Sequence, residues 1–102
     1  MQIQVNYASL PHSDAIDEHV HMELKNAIGR FSDRLTRVEV HLSDENSHHK
    51  HGERDKKCKL EARPAGRDPI VVDDESDDLY VAVKGAAGKL ERALARRLDP
   101  HS

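Results

Sequence analysis

Lys89, Arg92 and Arg96 recur at steps of three and four along Asp77 to Leu98, DDLYVAVKGAAGKLERALARRL, with Lys84 upstream of them. On a helix that spacing gathers cations on one side. A row of this kind holds phosphate by Coulombic attraction and makes or breaks no bond. The histidines offer a different chemistry. His48, His49 and His51 fall within four residues, and His12, His19 and His21 lie nearer the N-terminus. A structural or catalytic metal needs three or four ligands held by supporting partners, which a polar loop does not supply. Zinc or nickel is expected there only adventitiously, and no metal site is assigned. Cys58, the only cysteine, cannot form an intramolecular disulfide. It alternates with Lys57 and Lys59 and shares the side of Leu60, as a buried, inert thiol would. The run DDESDD, Asp73 to Asp78, lacks the ligand spacing and central glycine of a calcium loop.

No constellation for catalysis accompanies these residues. There is no glycine-rich phosphate loop and no nucleophile elbow, and the carboxylates stand in runs from which no tuned base separates. The chain is read as a non-enzyme with no cofactor and no small-molecule substrate. The chemistry left is that of a charged surface, and the question becomes which elements hold it.

The stretch Asp77 to Leu98 reads as a helix with Leu79, Val83, Ala86, Ala87, Leu90, Ala93, Leu94 and Leu98 on one stripe and the cations on another. Ser76 or Asp77 is expected to cap it, with Asp78 adding charge at the positive end of the dipole, and Arg96, Arg97 and Pro100 mark its end. Gly85 and Gly88 fit a helix interior poorly, at about 1 kcal/mol each relative to alanine. They are read as tolerated drift or close packing on a neighbour, or as the approach of another backbone. QIQVNYA alternates with Ile3, Val5 and Tyr7 on one side, as a half-buried strand does. Ser13 then caps a helix striped by Ile16, Val20, Leu24, Ala27, Ile28 and Phe31. From Leu35 to about Leu42 the period returns to two. Residues 43 to 55 contain no apolar side chain and read as a polar connection. Strands are expected again over Lys56 to Arg63 and Pro69 to Asp74. The result is an α+β fold of two layers, order β-α-β-β-β-α: a four-stranded sheet, its first two strands parallel, with both helices on one face.

At 102 residues this is expected to be one domain, 1–102. Hydrophobic residues are 36% and charged residues 34%, so the core must be thin and the surface highly charged. No apolar run approaches a membrane span and no signal peptide is evident, so a cytoplasmic protein is expected. The net charge of −3 hides segregation: +7 and −3 over residues 50–67, −5 over 73–78, +5 and −1 over 84–98. Such a pattern can bind a polyanion locally. With only Tyr7, Phe31 and Tyr80 aromatic, base stacking on a sheet is disfavoured, leaving recognition of RNA shape and phosphate.

The order of elements, the D-L-Y-x-A-V opening of the last helix, its KLER core and the RF-x-DRL segment Arg30 to Leu35 together resemble the ribosome hibernation promoting factor and ribosome-associated inhibitor (factor Y) family, in its short form. The resemblance spans nearly the whole chain. It implies a non-enzymatic domain that binds small-subunit ribosomal RNA through basic helices and suppresses translation under stress or in stationary phase. Carried over by position, it implies Lys25 and Arg30 on the first helix and Lys84, Lys89, Arg92 and Arg96 on the second as RNA contacts. The partner implied is the small ribosomal subunit, and the short-form resemblance leads to the expectation of no long-form dimerisation domain. Glu23 and Asn26 stand where the family tends to lysine, and the acidic run 73–78 is dense, both reducing attraction to phosphate.

A second reading uses the same fold as a protein-interaction module. Its working surface would be the open sheet face, with Arg37, His41, Lys57, Lys59 and Arg63, and ribosome binding would be altered or lost.

Overall fold

A computed structural model describes residues 1–45 and 55–99. The histidine cluster 48–51 lies outside the described residues. The element order is β1 (Gln2–Tyr7), α1 (Asp14–Ile28), a 3-10 segment (Gly29–Arg34), β2 (Leu35–Asp44), β3 (Lys56–Pro64), β4 (Ile70–Ser76) and α2 (Leu79–Leu98). Alternation decides which side of the sheet the helices cover. Ile3, Val38, Ala62 and Ile70 form one inward row across the strands, and Val5, Val40, Leu60 and Val72 the next. The β-α-β-β-β-α order of the sequence analysis holds. The strands lie in the order β1-β2-β3-β4, β1 parallel to β2 and the rest antiparallel. The long crossover through α1 permits the parallel pair, and the antiparallel neighbours need no crossover.

Burial of the helix stripes against those rows builds the core. Val20, Leu24 and Ile28 of α1 and Val83, Leu90 and Leu94 of α2 are almost fully buried. Ala82 joins the buried side of α2, whereas Leu79 and Ala93 are only partly covered. The small residues Ala82, Ala86 and Ala87 let α2 approach its neighbours closely.

Several boundaries differ from the sequence reading, each for a local reason. The Ser13 hydroxyl accepts from the Ile16 N–H at 3.2 Å, as expected of a cap, but α1 ends at Ile28. Phe31 and Arg30 belong to the tighter 3-10 segment, which turns the chain into β2 and buries the Phe31 ring. At α2 the cap is Asp78, whose carboxylate accepts from the Tyr80 N–H at 2.9 Å. The Ser76 hydroxyl instead accepts from the Asp78 N–H. Asp73 to Ser76 continue β4. The acidic run is therefore the end of a strand followed by a helix cap.

The two helices run side by side in the same direction. His19 meets Tyr80 and Arg30 meets Glu91, both pairs 61 residues apart in sequence. Both N-termini thus lie at one end of the molecule and both C-termini at the other.

Candidate nucleic-acid interface

Along α2, Lys84, Arg92 and Arg96 are exposed and lie eight and four residues apart, on the side turned away from the Val83, Leu90, Leu94 stripe. Lys25 is exposed on α1. These four side chains make no ion pair with a carboxylate among the described residues.

The other two predicted contacts are engaged internally. Arg30, placed by the sequence reading on the first helix, sits in the 3-10 segment. Its guanidinium donates to the Glu91 carboxylate at 2.7 Å and covers the Phe31 ring at 4.3 Å. The geometry makes it a clasp between the end of α1 and α2. Lys89 reaches β4, donating to the Asp73 carbonyl at 2.9 Å and the Asp74 carboxylate at 3.2 Å. Gly85 makes room for this contact. A Cβ there would collide with the Asp74 carboxylate, so the close neighbour implied by the glycine is an acidic side chain of β4, not a backbone. Asp74 falls in the inward row of Tyr7, Leu42 and Cys58.

Glu23 is less obstructive to an anion than its charge suggests. Its side chain is 16% exposed and lies in the seam beside His19, 3.6 Å from Nε2. That nitrogen is also 3.0 Å from the Tyr80 carbonyl, which can only accept, so His19 Nε2 carries the proton. The His19 and Tyr80 rings meet edge to face at 4.8 Å. This seam was not legible in the sequence, because it depends on which turns of the two helices meet.

The three N-terminal histidines do not converge. His12 Nε2 lies 2.9 Å from Asp17, His19 packs on Tyr80, and His21 Nδ1 donates to the Asp17 carbonyl at 2.8 Å. His12, Asp14 and Asp17 bring ligand atoms within 4.8 Å of one another. Asp17, however, already accepts from the Tyr7 hydroxyl at 2.7 Å, and the group serves the start of α1. That hydrogen bond holds the Asp17 carboxyl below its usual range, while burial first and the Asp17 contact second push the Tyr7 hydroxyl up to about 12. Cys58 is fully buried, and burial pushes its thiol up to about 12.

The open sheet face is charged differently. Arg37 lies 3.0 Å from Glu39, Arg63 lies 2.8 Å from Glu61, and His41 lies 3.8 Å from Glu39. Across the next ladder Lys59 stands opposite Asp73 and Lys57 opposite Glu75. Nearly every cation there faces a carboxylate on the same or a neighbouring strand.

Comparison with known proteins follows the fold. Residues 3–101 match the family described as Sigma 54 modulation protein / S30EA ribosomal protein. Among solved structures, a ribosomal subunit interface protein from Coxiella burnetii superposes with a TM-score of 0.79 at 23% identity, covering 96% of this chain and 98% of that one. The N-terminal domain of Protein Y from Thermus thermophilus gives a TM-score of 0.75 at 26% identity, covering 95% and 99%. No curated protein matches by sequence.

Proposed function

The chain belongs to the Sigma 54 modulation protein / S30EA ribosomal protein family of ribosome-associated factors, and on that premise we propose that it binds small-subunit ribosomal RNA through the outer side of its two helices. In this reading it works by occupancy, without catalysis. It sits on the small subunit in the cytoplasm and suppresses translation under stress or in stationary phase. The likeness to a ribosomal subunit interface protein and to a Protein Y N-terminal domain supports a ribosomal partner.

The observation that carries the proposal is the contrast in pairing. Lys25, Lys84, Arg92 and Arg96 are exposed without carboxylate partners among the described residues, while on the sheet face Arg37, Arg63 and Lys57 are ion-paired and Lys59 stands opposite Asp73. An unpaired surface cation can exchange its counterions for phosphate, whereas a paired one must first give up its carboxylate. Arg30 and Lys89 are read as structural, holding the 3-10 segment and β4 against α2. The protein-interaction reading through the sheet face has less support, because that face is close to neutral.

Sedimentation tests the proposal. Protein mixed with purified small subunits or vacant ribosomes at low salt should travel with the particles, and Arg92→Glu with Arg96→Glu should leave it at the top of the gradient. Recovery of wild type at the top at every salt concentration would remove the ribosomal reading.

A further inference from the structure

The arginines are not distributed like the lysines. All those within the described residues lie at one end of the molecule, where both helices finish. Arg30 and Arg34 belong to the 3-10 segment, Arg37 opens β2, and Arg63 closes β3. Arg67 is in the β3–β4 turn, and Arg92, Arg96 and Arg97 occupy the last two turns of α2. Lys56, Lys57 and Lys59 instead sit at the opposite end, beside the acidic start of the helices.

Backbone and side-chain contacts tie this end together. The Ala65 N–H donates to the Arg34 carbonyl at 3.1 Å, which sets the 3-10 segment against the β3–β4 turn. Arg67 donates to the Arg97 carbonyl at 3.3 Å, and Arg97 donates to the Asp68 carbonyl at 3.4 Å, which sets the turn against the end of α2. A shallow depression of about 330 Å³ opens there, lined by Ile70, Ala93, Arg96 and Arg97.

Part of this arginine content is structural. Arg30 is matched by Glu91, Arg37 by Glu39, and Arg63 by Glu61. Arg67 and Arg97 also satisfy carbonyls where the negative helix end favours a cation. Each spends one N–H on that contact, however, and a guanidinium has five. Arg34, Arg67, Arg96 and Arg97 have no carboxylate within ion-pair distance among the described residues. Asp33, Asp68 and Asp99 share the region, yet the end remains net positive in a chain whose net charge is −3. Arginine is also the cation suited to this task, being weakly hydrated and able to grip a phosphate with two parallel N–H groups.

We infer that the phosphate-binding surface does not stop at the helices but turns over this end of the molecule. There Arg34, Arg67, Arg96 and Arg97 form a second contact with the sugar-phosphate backbone of RNA. The inference rests on the ribosomal RNA reading above and extends it to residues that reading does not use. The end patch and the helix side meet at Arg96, so one RNA strand can pass from one to the other. The two lobes would then hold a bend or a junction, where phosphates converge, more tightly than a straight helix.

Arg34→Glu with Arg67→Glu tests it, using purified small ribosomal subunits as the probe. Affinity should fall at least about tenfold, and the dependence of log affinity on log salt should become shallower by about 1.4, two contacts at about 0.7 each for single strands. Arg34→Lys with Arg67→Lys should recover most of the affinity. Arg34→Glu alone, at an exposed side chain with no ion pair among the described residues, should give about half the change in slope and an unaltered melting transition. Wild-type affinity and slope in the double variant, with binding still lost in Arg92→Glu, Arg96→Glu, would overturn the end patch and leave the helix reading standing. Unchanged binding in both double variants, or no binding by wild type, would remove both.

Discussion

The helix side and the open sheet face carry cations of the same kinds, and differ in what stands next to them. On the sheet, residues two apart on a strand share a face, so Arg37 pairs with Glu39 and Arg63 with Glu61, while register sets Lys57 opposite Glu75 and Lys59 opposite Asp73. On α2, neighbours lie at steps of three and four, and the positions so spaced from Arg92 are Gly88, Lys89, Ala95 and Arg96, none of them acidic. Most charges on the sheet are therefore set against each other, whereas Lys84, Arg92 and Arg96 on the helix have no carboxylate within ion-pair distance among the described residues. Acids are also unevenly supplied: Glu91 is the only one in α2, whereas β2, β3 and β4 carry Glu39, Asp44, Glu61, Asp73, Asp74 and Glu75.

The largest expected effect breaks this comparison directly. Arg92→Glu with Arg96→Glu should weaken binding to small subunits by roughly 100-fold or more, since two charge-assisted contacts of about 1.5–3 kcal/mol each become repulsions. Lys57→Glu with Lys59→Glu should change it by less than about threefold, because only long-range charge is altered. A filter or fluorescence titration compares the two. If the sheet reversal proved the more damaging, the sheet face would be the working surface.

Leu90→Ala separates folding from binding on the same helix. Leu90 is fully buried, and its truncation should cost roughly 2–5 kcal/mol in urea unfolding through the cavity it leaves. The protein that remains folded should bind with unchanged affinity.

A smaller effect concerns the seam between β4 and α2. Gly85→Ala should gain about 1 kcal/mol of helix propensity when Asp74 is first replaced by alanine. With Asp74 present it should gain nothing or lose stability, because the new methyl displaces the carboxylate from Lys89. A double-mutant cycle reads the coupling. Additive effects would mean that the glycine serves something other than this pair.

The smallest lies where β1 meets α1. Tyr7→Phe removes the hydrogen bond to Asp17 and should cost about 1–2 kcal/mol at neutral pH. The Asp17 carboxyl titrates below its unfolded value, so its stabilisation is present above the unfolded value near pH 4 and is lost as pH falls through the folded one. The gap between wild type and Tyr7→Phe should accordingly narrow in acid. A gap constant from pH 7 to pH 3 would contradict the assignment.

How much of this was legible in the sequence follows from the range of each interaction. Alternation of Val38, Val40 and Leu42 and the stripe of Val83, Leu90 and Leu94 depend on neighbours within a few residues, and they specified strands, helices and the inward side. The family resemblance was likewise carried by local runs. Pairing was not local. Arg30 and Glu91 are far apart in the chain, and nothing at either position announces that the 3-10 turn aims one at the other. Lys89 lay in a stripe with Arg92 and Arg96, but only the packing of β4 beneath Gly85 shows that it turns to Asp74. Gly85 was the one local sign, since a glycine in mid-helix signals a close neighbour without saying which. Arg34, Arg67 and Arg97 were missed because they come from three elements and meet only where these end together.

The central claim, that unpaired helix cations bind ribosomal phosphate, is tested most directly by the salt dependence of binding to purified small subunits. Four contacts predict that log affinity falls with log salt with a slope of about −3 or steeper, and that Arg92→Glu, Arg96→Glu flattens it by about 1.4 or more. Affinity that is indifferent to salt, or a slope that survives the helix reversal and is flattened only by Lys57→Glu, Lys59→Glu, would contradict the account.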